Sequence, residues 1–144
     1  MSVHFTKKYT CRVGSMYDEW MSAPEPDTDA ANPVDVNLKY QTYCNAMAEG
    51  GEPEWDFGWA RYQSSQVATE KATMLYSLTC ARDVWLLNRY LNMSIHSNSG
   101  VRLQDSYKVI GGVGGGTVGR YVAWDFLRAN WDQISKLYEF NCIL

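Results

Sequence analysis

A chain of 144 residues with 13 basic and 16 acidic side chains is long enough for one packed domain and too short for a catalytic domain with accessories. Its slightly acidic balance offers no polybasic surface, so neither nucleic acid nor an anionic membrane face is expected as a partner. Six Trp and ten Tyr imply a packed interior rather than a disordered tail, because rings of that size fill gaps between packed elements.

Apolar residues recur at helical spacing along most of the chain. Tyr9, Val13, Met16 and Trp20 fall on one face of a first helix. The stretch 24–32, PEPDTDAAN, reads as an exposed linker, and Asn32-Pro33 restarts a helix as cap and first-turn proline. Val36, Tyr40, Tyr43 and Met47 form its stripe, and Gly50-Gly51 closes it with residues that tolerate a left-handed C-cap. Pro53 opens a helix with Trp55, Trp59 and Tyr62 along one side. Ala68, Ala72, Leu75 and Leu78 line the next, and Asp83 caps another carrying Val84, Leu87, Leu91 and Ile95.

After a polar break at 97–100, a short helix is expected over 103–110, interrupted by the glycine run 111–119. A final helix follows, with Ala123, Leu127, Trp131, Ile134 and Tyr138 in one continuous stripe. No alternating strand pattern competes. The expectation is an all-α chain, a stack of antiparallel helical hairpins similar to HEAT or armadillo arrays, although no clean repeat is visible.

The side chains that could carry chemistry are sparse. Zinc catalysis needs three closely placed ligands, commonly two histidines one helical turn apart with a glutamate between. The two histidines, His4 and His96, stand far apart, and Cys11, Cys44, Cys80 and Cys142 contain no pair at metal-knuckle spacing. No metal, cofactor or catalytic residue is assigned to this chain. Gly114, Gly116 and Gly119 spell a phosphate-loop pattern, yet the helical flanks make a helix-to-helix connection the better reading. The acidic run Glu49 to Asp56 could supply paired carboxylates for acid–base work or a loose cation site, but first-turn acids also complement the helix dipole without further function, which is the better reading. Asn92-Met93-Ser94 is an N-glycosylation sequon, meaningful in a secretory compartment. No apolar run approaches the roughly 18 residues of a membrane span, and residues 1–20 hold no signal-peptide core.

Three segments resemble, in order and spacing, the C-terminal domain of zinc aminopeptidases of the aminopeptidase N and endoplasmic-reticulum aminopeptidase family: 43–59 (YCNAMAEGGEPEWDFGW), 78–91 (LTCARDVWLLNRYL) and 119–131 (GRYVAWDFLRANW). The resemblance is strongest over 43–131 and weaker back to Cys11 and forward to Leu137; residues 139–144 match nothing recognisable. It implies that the whole chain, 1–144, is a single partial domain, part of a helical bowl enclosing a substrate chamber. The zinc and the catalytic motifs would lie in another domain of the parent. Expected partners are that catalytic domain, the peptide substrate and a second copy of the parent; the expected location is an extracellular or plasma-membrane ectodomain.

The resemblance also implies a disulfide between Cys44 and Cys80, the alternative being two buried thiols. Cys11 resembles one half of a second disulfide whose partner position holds His4, which leaves it unpaired. Cys142 is likewise expected as a free thiol, and being third from the end it is no prenylation site. Arg61, Arg82, Arg89 and Arg120 are candidates for charge on the chamber surface, against the plainer reading of solvated arginines. A reading from another class is a stand-alone helical scaffold that binds a protein or peptide without catalysis.

Overall fold

The computed structural model describes residues 16–24 and 29–141. Tyr9, Val13, His4, Cys11 and Cys142 lie outside them. Among the described residues the regular structure is entirely helical. They fall into two compact units that meet at the Ala81–Arg82 bond.

In the first unit a helical segment at 16–21, α1, is followed by α2 (Lys39–Glu49), α3 (Glu52–Ser64), α4 (Ala68–Ser77) and a 3₁₀ turn, Leu78–Cys80. The expected linker contains a 3₁₀ turn at Asp29–Ala31. Asn32 does not cap a helix. Its Oδ1 accepts the Val34 N–H at 3.0 Å in a local turn, and α2 begins only at Lys39, after a turn in which Asp35 accepts from Leu38 and Asn37. That delay leaves Val36 outside the helix and exposed while Tyr43 and Met47 are buried, since a residue before the first helical turn does not share the phase of those after it; Tyr40, in the first turn of α2, is exposed as well.

Gly50 ends α2 with φ −87°, so the expected left-handed cap is not used. Gly51 instead starts α3, where the Glu54 carboxylate accepts its N–H at 2.6 Å. Tyr17, Trp20, Tyr43 and Trp55 are each fully buried. Trp20 stacks on Tyr43 with centroids 5.6 Å apart, and Phe57 meets Trp20 edge-on at 5.1 Å, arrangements that contribute about 0.5–1.5 kcal/mol per pair beyond burial. Gly58 lies under this cluster, where a Cβ would stand 2.5 Å from Met47 Cε.

The second unit holds α5 (Val84–Ile95), a 3₁₀ turn (Leu103–Asp105), α6 (Ser106–Gly115), α7 (Gly119–Ala129) and α8 (Trp131–Asn141). Its core is built from Leu86, Leu87, Tyr90, Leu91 and Ile95 of α5 with Val109, Val113, Ala123, Phe126 and Ile134. Val84, expected inside, is exposed in the first turn.

The sequence expectation fails at two places in this unit. The glycine run does not interrupt: α6 continues through Gly111, Gly114 and Gly115, because Val109, Ile110 and Val113 bury one face and tertiary packing offsets the propensity cost of glycine. The long last helix is two helices. Asn130 leaves the helical region at φ −115°, ψ 19°, its side chain donates to Phe126 O at 2.9 Å, and its own carbonyl accepts from Gln133 and Ile134 to start α8. Beyond the break Trp131 and Tyr138 are exposed, and of the expected Ala123 stripe Ile134 alone is buried there.

Candidate functional site

Cys44, in the middle of α2, and Cys80, in the turn after α4, are joined by a disulfide. Neighbouring contacts hold the same corner: the Trp55 indole donates to Leu78 O at 3.2 Å.

The chief buried polar centre of the first unit is Glu70 on α4, 5 % exposed. Its carboxylate accepts from Tyr43 Oη at 2.5 Å, from Lys39 Nζ at 2.6 Å and from Asn32 Nδ2 at 3.5 Å. Asn32 also donates to Tyr43 Oη at 2.5 Å. This network fastens the segment before α2, and α2 itself, to α4. Burial, then the hydrogen bond and charge of Glu70, push the Tyr43 phenol well above its ordinary value. Burial together with the charge of Glu54 does the same to Tyr17, whose hydroxyl donates to Glu54 O at 3.0 Å. Phenols held neutral in this way serve as hydrogen-bonding braces of the fold.

In the second unit Asp105, 2 % exposed, accepts from Arg102 at 2.7 Å and from Lys108 at 2.8 Å. Burial opposes its ionisation, but the hydrogen bonds from Lys108 and Arg102 outweigh that and hold the carboxyl below the usual range. Ser106 Oγ ties α6 to α5 by donating to Ser94 O.

The acidic run spans the end of α2 and the start of α3. Glu52 and Glu54 occupy the first turn of α3, with Glu54 engaged by the Gly51 amide. Among the described residues no three His, Cys, Asp or Glu side chains come together to hold a metal ion, so a zinc site does not fit them. His96 is exposed at the end of α5, its Nδ1 2.7 Å from Asn92 O.

The glycine pattern builds a helix-to-helix connection. Gly116 and Gly119 form a tight α6–α7 connection, with Gly116 N–H donating to Val113 O at 3.1 Å. Gly119 is required there because a Cβ would collide with the Val113 carbonyl. Of the four arginines, Arg61 is buried and donates to Ser64 Oγ; Arg82 and Arg120 are exposed and Arg89 half-buried. Asn92 is exposed on α5.

Three features were missed by reading along the chain. Tyr17 joins the core, and its position three residues before Trp20, on the same helical face, could have signalled it. The Glu70 network joins residues up to 38 apart and left no local signal. The third is an exposed aromatic surface on the second unit, where Tyr121, Trp124 and Trp131 are each more than half exposed. Two apolar grooves of about 440 Å³ each run beside Trp124.

Helices held by a disulfide and buried ion pairs define an all-α module among the described residues. Its residues 6–143 match the family described as the ERAP1-like C-terminal domain, and the chain belongs to that family. It is 36 % identical over 124 residues to aminopeptidase N of Bos taurus and 32 % over 126 residues to that of Homo sapiens. It is also 32 % identical over 127 residues to glutamyl aminopeptidase of Bitis rhinoceros. These alignments cover 86–88 % of this chain and 12 % of each relative, so the chain spans about an eighth of their length. No described helix is long and apolar enough to cross a membrane.

Proposed function

We propose that the chain is a non-catalytic segment of a zinc aminopeptidase that removes N-terminal residues from peptides. In this role it walls part of the substrate chamber, shapes the pocket for the peptide's downstream residues, and offers a surface for dimer contacts. The zinc and the groups that activate water belong to the catalytic domain of the parent, which is the segment's first partner. The whole chain acts as one partial domain.

The match of residues 6–143 to a C-terminal domain family carries this reading. The braces described above suit it: a disulfide, the Glu70 network and the Asp105 pair hold helices in fixed positions, as a wall requires. An extracellular or plasma-membrane ectodomain is the proposed location, supported by the Cys44–Cys80 bond and the sequon at Asn92, since both acquire meaning in an oxidising secretory compartment.

The test is to sequence the transcript upstream of the Met1 codon. A reading frame encoding His-Glu-x-x-His within a few hundred residues, in phase with this chain, is the expected result. A complete upstream frame without that motif would overturn the aminopeptidase reading.

A further inference from the structure

We propose that Asn92 is an N-glycosylation site whose first sugar lies in the groove between α5 and α7, against the ring of Tyr121. The proposal rests on the secretory location argued above. Asn92-Met93-Ser94 is the one Asn-x-Ser/Thr sequon in the sequence. It lies in the C-terminal part of α5. Transfer acts on the extended chain before the helix forms. The Asn92 Nδ2–C1 bond to N-acetylglucosamine is made as the C1–O bond to a lipid-linked diphosphate breaks; the amide loses one proton and the lipid diphosphate leaves. The burial of Ser94 in the finished fold is therefore no obstacle, and the fold has only to accommodate the product.

It does so at Asn92. The side chain is exposed, and its Nδ2 donates to Asn88 O at 2.9 Å. An amide nitrogen carries two hydrogens, so the one left after glycosylation can keep that bond. Ser94, by contrast, is fully buried and donates to Leu91 O at 2.7 Å, which explains its presence without any sugar; no comparable packing role explains Asn92.

The groove in front of Asn92 has a volume of about 410 Å³ and is lined by Asn88, Tyr121, Asp125 and Asn130 among others. Amide and carboxylate edges beside a largely exposed aromatic ring, Tyr121 at 75 %, match the two faces of a pyranose, hydroxyl and acetamido groups at its rim and C–H bonds on its face. The apolar grooves beside Trp124 are lined by no amide or carboxylate side chain.

The full chain, secreted from mammalian cells behind a cleavable signal peptide, is compared with Asn92→Gln and Tyr121→Ala by PNGase F gel shift, non-reducing peptide mapping and thermal melting. Expected are a PNGase F mobility shift in the parent that is absent in Asn92→Gln, Asn92 converted to Asp in the mapped peptide, and a lower Tm after glycan removal that Tyr121→Ala abolishes. Mapping of the parent alone decides occupancy should Asn92→Gln fold poorly. Unmodified Asn92 with Cys44 and Cys80 bonded overturns the glycan and leaves the secretory reading standing. Unmodified Asn92 with both cysteines free overturns the two together. A modified Asn92 whose deglycosylation leaves Tm unchanged, or changes it equally in Tyr121→Ala, overturns the groove placement.

Discussion

Breaking the Cys44–Cys80 bond removes a constraint from the unfolded chain and leaves every helix with its native contacts. The bond closes a loop of 36 residues. In the chain-entropy model a loop of that size stabilises the fold by about 3.8 kcal/mol at 25 °C. Both cysteines lie in the first unit, which ends at Ala81. For a cooperative unit of that size, 1 kcal/mol moves Tm by roughly 4–8 °C, so the loss amounts to about 15 °C or more. The assay is a calorimetric melt of three samples: oxidised chain, the same chain reduced and held reduced, and Cys44→Ala/Cys80→Ala. The double variant separates loop closure from the packing of two free thiols in the corner beside Trp55 and Leu78. Reduced chain and double variant should both melt well below the oxidised chain. A double variant that melts within about 2 °C of the oxidised chain would refute the loop-closure reasoning.

Alanine at Gly119 should cost about 1–3 kcal/mol, because its Cβ meets the Val113 carbonyl. Alanine at Gly111, inside α6 with nothing within 4 Å of the added carbon, should stabilise by about 0.5–1 kcal/mol; urea midpoints of the two variants check the pair, and a destabilised Gly111→Ala would contradict a helix through the glycine run. Asp105→Asn should destabilise the second unit by about 1–3 kcal/mol at pH 7, since Arg102 and Lys108 lose an ionised acceptor. The folded carboxyl lies below its ordinary 3.8, so its contribution is fully present above that value and disappears as pH falls through the lowered one. Denaturation curves of Asp105→Asn and parent should therefore converge in acid, and a gap that does not narrow as pH falls would remove the ionised Asp105 as its cause.

Periodicity places much of the core: Trp20, Tyr43, Met47, Trp55, Tyr62, Leu75, Leu78, Leu87, Leu91, Ile95, Ala123 and Ile134 all fall on expected interior stripes and are buried. The misplacements have two origins. Val36 precedes the first turn of α2, and Trp131 and Tyr138 follow the break at Asn130, where helical phase is lost; Tyr40, Ala68, Ala72 and Val84 lie inside their helices and are exposed, Tyr40, Ala68 and Val84 in a first turn and Ala72 on the face of α4 opposite to its buried residues. Asn130 was hard to recognise because the apolar spacing runs through it, and because its side chain closes one helix on Phe126 O, a bond that leaves no periodic trace. The glycines misled in the opposite direction, since weak local propensity gave way to the burial of Val109, Ile110 and Val113. Glu70 was invisible as a brace because its partners Asn32, Lys39 and Tyr43 come from distant turns. Cys44–Cys80 was legible through family resemblance alone, because four cysteines without a spacing motif leave their pairing open.

The proposal that these residues support a reaction performed by groups elsewhere in a longer polypeptide can be checked on the 144-residue chain itself, purified, dialysed against metal-free buffer, analysed for zinc, and assayed on an amino-acid anilide with added zinc. Substoichiometric zinc and no hydrolysis above the uncatalysed rate are expected; one zinc per chain with turnover of the anilide would refute the proposal.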